Sequence, residues 1–198
     1  MTLSPFNKAK IIINKVLQPI PEPLSKLEWL ELLQTAESNE EFALFIRQKA
    51  SELRDKHFGK GIYLRGLIEV SNICTRNCFY CGIRRSNSKV KRYRLTEEEI
   101  LACCSQGEQL GLHTFVLQGG EDGTLNDQYL VNLIKKIKAR HPQCALTLSL
   151  GERSTLSYQK LYKAGVDRYL LRHETASAEL FTKLKPVESS LTNRLSCL

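Results

Sequence analysis

Cys74, Cys78 and Cys81 stand in the stretch CTRNCFYC, a CxxxCxxC triplet with Tyr80 immediately before the last cysteine. Thiolates are soft ligands, and three on one short loop suit an iron–sulfur cluster. A cubane 4Fe-4S cluster normally takes four cysteines, one per iron, so a loop that offers three leaves one iron with an open coordination position. An open position on a metal is where chemistry happens, by the logic that separates catalytic from structural zinc. Two plainer readings stand beside this one. Structural zinc needs a second pair of ligands, and Cys103 and Cys104, adjacent on a predicted helix, cannot point together at one ion; His57 or His113 would have to be recruited. A plain electron-transfer cluster needs a remote fourth cysteine.

A disulfide framework fits poorly. Seven cysteines is an odd number, they are irregularly spaced, no hydrophobic leader precedes them, and 198 residues exceed the size that needs covalent staples. Cys103, Cys104, Cys144 and Cys197 read as small buried hydrophobes. At 42% hydrophobic residues the chain can bury one sizeable core, and no apolar run is long enough to span a bilayer; IIINKVL is broken by Asn14 and Lys15. A soluble, cytoplasmic protein with free thiols is expected. The net charge of +8 raises nucleic acid as a partner, but the basic residues are dispersed apart from Arg84–Arg85 and the run KVKRYR at 89–94. Such runs are mostly solvated faces or anchors for a small anion, and nucleic acid is not the expected partner.

The elements that must position the cysteines follow from hydrophobic periodicity. Residues 1–60 read as a helical segment: IIINKVLQP stops before Pro19 and Pro21, SKLEWLELLQTA sets Leu27, Leu30 and Leu33 at helical spacing after a Ser25 cap, and NEEFALFIRQKASELRDKHFG ends at a glycine. These helices are expected to close one end of the domain. From Gly61 the pattern becomes strand and helix in alternation, recurring about every thirty residues over 61–198. The predicted strands are GIYLRGLIEVSN, HTFVLQGG, CALTLSLG and VDRYLLRHE, separated by helices long enough for right-handed crossovers, so the sheet should be parallel. Each strand brings polar residues to its C-terminal end: Ser71 and Asn72, Gln118 to Glu121, Ser149 with Gly151 and Glu152, Arg172 to Glu174. In parallel α/β folds ligands bind at that end. The expected class is therefore α/β, a partial (β/α) TIM-type barrel preceded by N-terminal helices. Four strands are half of the eight in a complete barrel of about 250 residues, so the chain reads as an N-terminal fragment.

The stretch LRGLIEVSNICTRNCFYCGIRRSN, then KRYRLTEEEIL, FVLQGGED, LTLSLGERS and DRYLLRHETA, resembles the biotin-synthase-like branch of the radical S-adenosylmethionine (SAM) enzymes. Within that branch the chain is most similar to the HydE family of iron-iron hydrogenase maturases, with the 3-methylornithine synthases as siblings. The resemblance covers roughly residues 55–198 and includes several motifs in order.

What the resemblance implies is specific. Cys74, Cys78 and Cys81 would hold three irons of a 4Fe-4S cluster whose fourth iron chelates SAM, and the reduced cluster would cleave SAM to a 5′-deoxyadenosyl radical. Tyr80 would pack beside the adenine. Gln118, Gly119, Gly120 and Glu121 match the family's GGE segment, where glycines let the backbone reach the amino group of SAM. Glu174 would accept hydrogen bonds from the ribose or the amino group, and Arg194 would grip the carboxylate as a two-pronged fork. Arg172 and His173 lie on alternate sides of one strand, so one of them should face the cavity; Thr147 and Ser149 share a face and could bond SAM or substrate. For each polar residue, an ordinary interior hydrogen bond is the competing reading. The implied partners are a reduced ferredoxin or flavodoxin as electron donor, a small-molecule or organometallic substrate, and other hydrogenase maturases. An inert cluster-binding module is the reading left if the remaining cavity wall is missing.

Overall fold

Among the described residues every helix start is marked by a side chain that accepts one of the first unpaired backbone N–H groups, the local interaction that lowers the cost of leaving the coil. The acceptors are Ser4, Ser25, Asn39, Thr96, Asn126, Ser154, Ser177 and Ser190. Ser25 with Glu28 and Thr96 with Glu99 complete reciprocal capping boxes. The computed structural model describes residues 3–198, and the chain divides into two compact units, Met1–Ile62 and Tyr63–Leu198.

The first unit holds α1 (Pro5–Val16), α2 (Lys26–Ser38) and α3 (Glu40–Phe58). Its small core is Ala9, Ile12, Leu32 and Phe42, with Phe6 set edge-on to Phe42 at 5.8 Å between ring centres. Leu27, Leu30 and Leu33, whose helical spacing marked α2 in the sequence, are exposed, Leu27 by 77%. The buried side is Leu32 and Thr35. The reason is that the leucines of α2 are spread round the helix between Glu28, Glu31 and Gln34, so its periodicity chooses a face only weakly, and α1 and α3 decide.

The second unit is a four-stranded parallel sheet in the order β1 (Gly66–Ser71), β2 (Thr114–Gly119), β3 (Ala145–Ser149), β4 (Arg168–Tyr169). Successive strands are joined by α4 (Glu97–Gln109), α5 (Asp127–Arg140) and α6 (Thr155–Ala164). One face of the sheet carries Ile68, Val70, Phe115, Leu117, Leu146 and Leu148, which bury against Ile100, Leu130, Leu133, Ile134, Ile137 and Leu161 of those helices. Because side chains alternate along a strand, the other face carries Glu69, Gln118, Thr147 and Ser149. This is α/β architecture of the parallel (β/α) barrel type, as the alternation predicted.

One element differs from expectation. The fourth strand spans two residues rather than nine; after Leu170 donates its N–H to Leu148 O, the backbone turns, and Glu174 takes a positive φ of 68°. No partner strand lines its outer edge among the described residues, so nothing holds the segment extended. Beyond that strand lie two short helices, α7 (Ala178–Leu184) and α8 (Leu191–Ser196). Among the described residues no helix is long and apolar enough to cross a membrane.

Candidate functional site

The chain leaves β1 at Ser71, β2 at Gly119 and β3 at Ser149, all at the same rim of the parallel sheet, and these exits surround a cavity of about 190 Å³. Its walls include Cys74, Cys78, Cys81, Tyr80, Gln118, Gly119, Gly120, Glu121, Ser149, Arg172, Glu174 and Arg194. Residues from five separate segments of the sequence thus meet. Two expected positions do not join them. Thr147 lies on the face of Ser149 but two residues earlier, buried one layer below the cavity, and its hydroxyl has no partner. His173 is exposed and outside the lining, and Arg172 is the one that faces inward. A larger, open depression of about 790 Å³ between α5 and α6 is lined by Lys135, Lys160 and Lys163. Its carboxylate, Asp127, is already taken by Ser157, Lys160 and Arg153.

The cysteine loop is held from beneath. Arg92 donates from Nη1 to the carbonyls of Asn72 (2.6 Å) and Ile83 (2.8 Å), and from Nη2 to those of Arg84 (2.7 Å) and Asn87 (3.1 Å). Arg94 pairs with buried Asp122 through two bonds of 2.7 and 2.9 Å, and Ser71 Oγ and Thr124 donate to the same carboxylate. Burial pushes the Asp122 carboxyl up, but the Arg94, Thr124 and Ser71 hydrogen bonds outweigh it and hold the group well below the usual carboxylate range. The basic run at 89–94 therefore contains loop staples rather than only a solvated face.

Around the sulfurs the groups are donors. Cys74 Sγ accepts from the backbone N–H of Arg76 and of Glu121, each at 3.4 Å, and Lys185 Nζ lies 3.5 Å from Cys78 Sγ. Gly120 comes so close to the loop that a Cβ there would stand 2.2 Å from Ile73 O and 2.7 Å from Cys74 Cβ. That close approach to the loop is a second reason for the GGE glycine, beside the ligand contact expected of it. Among the described residues no three His, Cys, Asp or Glu side chains converge on one point as a single ion requires. The three thiols instead flank one cavity, and a cluster, whose ligands each take a different iron, needs that arrangement. The donor set fits a 4Fe-4S cluster.

Beside the thiols lies a ring of four charges. Arg76 Nε donates to Glu121 Oε2 at 2.7 Å and its Nη2 to Glu152 Oε2 at 3.2 Å. Arg194 Nη2 reaches Glu121 Oε1 at 3.4 Å, while its Nε stands 2.8 Å from Glu152 Oε1, off the line a hydrogen bond needs. The hydrogen bond that Arg76 donates to Glu121 raises the Arg76 pKa further. Gly151, at φ 84°, makes room for this ring, since a Cβ there would lie 2.0 Å from Glu121 Cγ. Arg172 Nη2 donates to Gln118 Oε1 at 2.8 Å and Gln118 Nε2 to Glu69 Oε1 at 2.7 Å, a second polar chain on the wall. Arg76, Glu152 and Lys185 were not among the expected ligand residues. Arg76 sits inside the cysteine motif and Glu152 at a strand end, so both had a signal; Lys185 follows α7 and had none.

Away from the rim, Cys104 and Cys144 are buried as expected, but Cys103 is exposed on α4 and Cys197 is half-buried. At the opposite end of the sheet buried His141 bonds Glu108 Oε2 at 2.7 Å and packs edge-on to Phe115, a satisfied core histidine.

Residues 68–195 match the family model described as the radical SAM superfamily. The [FeFe] hydrogenase maturase subunit HydE of Thermotoga maritima is 47% identical over 149 residues, 75% of this chain and 42% of that protein. Biotin synthase of Staphylococcus aureus strains is 32% identical over 130 residues, 64% of this chain and 39% of that protein. Among solved structures, methylornithine synthase (PylB) superposes with a TM-score of 0.74 at 26% identity, covering 98% of this chain and 54% of that one. The maturase HydG from Carboxydothermus hydrogenoformans shares the fold at a TM-score of 0.69 and 22% identity, covering 99% of this chain and 50% of its own. The chain thus spans about two fifths of the length of the curated relatives it matches.

Proposed function

This chain belongs to the radical SAM superfamily, and from that premise we propose that Cys74, Cys78 and Cys81 hold a 4Fe-4S cluster with SAM bound beside it. When bound, the cluster supplies an electron from a ferredoxin-like or flavodoxin-like donor that cleaves SAM to methionine and a 5′-deoxyadenosyl radical. The observation that carries the reading is that the three thiols share one cavity with Gly120, Glu174 and Arg194 at the C-terminal rim of a parallel sheet.

The chain's own residues bind, orient and shield. Buried Arg194 turns a guanidinium toward the cavity while two carboxylates neutralise it, and a ligand carboxylate can take its remaining donors. Glu174, set on a positive-φ turn at the rim, is placed to accept from hydroxyl or ammonium groups. Tyr80 forms one wall; partial burial, then the Glu174 charge, push its phenol above the usual value, so it stays a neutral donor at pH 7.

Within the superfamily we favour a HydE-like role, maturation of the hydrogenase di-iron centre with a small organometallic substrate and other maturases as partners. The support is 47% identity to HydE against 32% to biotin synthase. A methylornithine-synthase-like role is the second reading, favoured by the PylB superposition. Anaerobic reconstitution with iron and sulfide tests the reading. A brown protein whose electron paramagnetic resonance signal changes with SAM, and which forms 5′-deoxyadenosine under reductant, is expected. Zinc binding without iron overturns it, and a cluster that never cleaves SAM reduces the chain to a binding module.

A further inference from the structure

Lys185 is 5% exposed, although lysine is among the residues least often buried. It caps the C-terminus of α7, whose preceding carbonyl, Leu184 O, accepts the N–H of Phe79 at 3.0 Å and so ties this segment to the cysteine loop. The ammonium ends 3.5 Å from Cys78 Sγ and 2.6 Å from Tyr80 Oη, and 5.1 Å from the centre of the Tyr80 ring. No carboxylate pairs with it among the described residues. Two other cations of the cavity are matched: half-buried Arg76 and buried Arg194 face Glu121 and Glu152, two charges against two. A desolvated ammonium without an anion is costly. Glu174 acts on the same Tyr80 phenol but forms no ion pair with Lys185, so the anion beside the ammonium is the Cys78 sulfur once it is a ligand to iron.

We propose that Lys185 is a positioning residue that donates a hydrogen bond to the Cys78 sulfur and raises the reduction potential of the cluster held there. The proposal rests on the cluster reading above. Hydrogen bonds to ligand sulfurs and nearby charge are the levers by which a protein sets such potentials. The sign follows from charge: reduction adds an electron, and a cation beside the sulfur stabilises the more negative state. Tyr80 holds the ammonium in place, sharing it between an oxygen and a sulfur.

The test is a redox titration of the reconstituted full chain without SAM, followed by electron paramagnetic resonance, for the wild type, Lys185→Met and Lys185→Arg. Lys185→Met should keep its iron and shift the reduction equilibrium about tenfold toward the oxidised form, a midpoint about 59 mV more negative for one electron. Lys185→Arg, which keeps both charge and donor, should recover most of that shift. A Lys185→Met midpoint displaced by less than about twofold in equilibrium overturns the proposal. So does an unmoved midpoint with weakened SAM binding, which makes Lys185 a SAM ligand instead. Should Lys185→Met not assemble, Lys185→Gln decides: it keeps a neutral donor and loses the charge, so its midpoint should still fall below that of the wild type, and an unmoved one overturns the assignment. A wild-type chain that binds no cluster sinks the underlying reading, an outcome distinct from a loaded protein whose potential does not respond.

Discussion

Arg92 and Arg194 both lie beside the cysteine loop, one beneath it and one across the cavity, and they are held in opposite ways. Arg92 spends its donors on four main-chain carbonyls. Arg194 is more deeply buried, yet its neighbours are two carboxylates, one of them poorly aligned. A guanidinium with four of its five N–H donors taken by the main chain has little left for a ligand, and removing it leaves carbonyls unpaired. A guanidinium held by side-chain carboxylates can exchange partners, because the second arginine of the ring, Arg76, can absorb the freed charge. The underside of the loop is built to be rigid and the cavity wall to be rearranged.

The largest expected effect tests the loop that both regions support. Cys78→Ala should abolish an intact cluster, because two thiolates cannot hold three irons; iron analysis and the visible spectrum of the reconstituted variant check it, and full iron content would remove the loop from the account.

On the underside, Asp122→Ala should lower stability by about 3 kcal/mol, since it strips a buried carboxylate from Arg94, Ser71 and Thr124. Urea unfolding of the full chain measures this. The pH dependence has a definite sign: Asp122 is depressed in the folded protein, so its stabilisation is present above the unfolded value near 3.9 and is lost as pH falls toward its folded value. Stability should therefore decline in acid below about pH 4, and Asp122→Asn should flatten that decline.

On the cavity wall the order reverses. Arg194→Lys should weaken SAM binding by about tenfold, worth about 1.4 kcal/mol, through loss of the fork, and change unfolding less than Arg92→Lys does. Equal effects of the two variants on SAM titration and on unfolding would erase the distinction drawn here. The smallest effect belongs to Cys103, exposed on α4, where Cys103→Ser should stay within about 0.5 kcal/mol of the parent.

Much of the site was readable because its parts are strand ends. The cysteine triplet, the GGE segment, Ser149, Arg172 and Glu174 each stand at or just beyond the C-terminal end of a predicted strand in a parallel pattern, and the cavity gathers them. Thr147 shows where that logic stops: sharing a face with Ser149 does not give the same depth. Glycine offers a second case, since Gly120 was expected to serve a ligand, whereas its missing Cβ also admits Ile73 O. Lys185 was invisible because no motif marks it and its helix is only seven residues long.

Taken alone, the sequence determined what depends on neighbours a few positions away. The eight helix caps, with bonds across three residues such as Thr96 to Glu99, are of this kind, as is the alternation of apolar faces in the strands and the cysteine spacing itself. Tertiary structure decided the rest. Which side of α2 is buried was settled by α1 and α3, because leucines spread round a helix among charged residues carry only a weak preference of their own. The pairing of Arg76 with Glu121 spans 45 positions, that of Arg194 with Glu121 spans 73, and the approach of Lys185 to Cys78 spans 107. Contacts of that separation exist only once the parallel sheet has set its strand ends side by side, and no local pattern of residues encodes the distance between them.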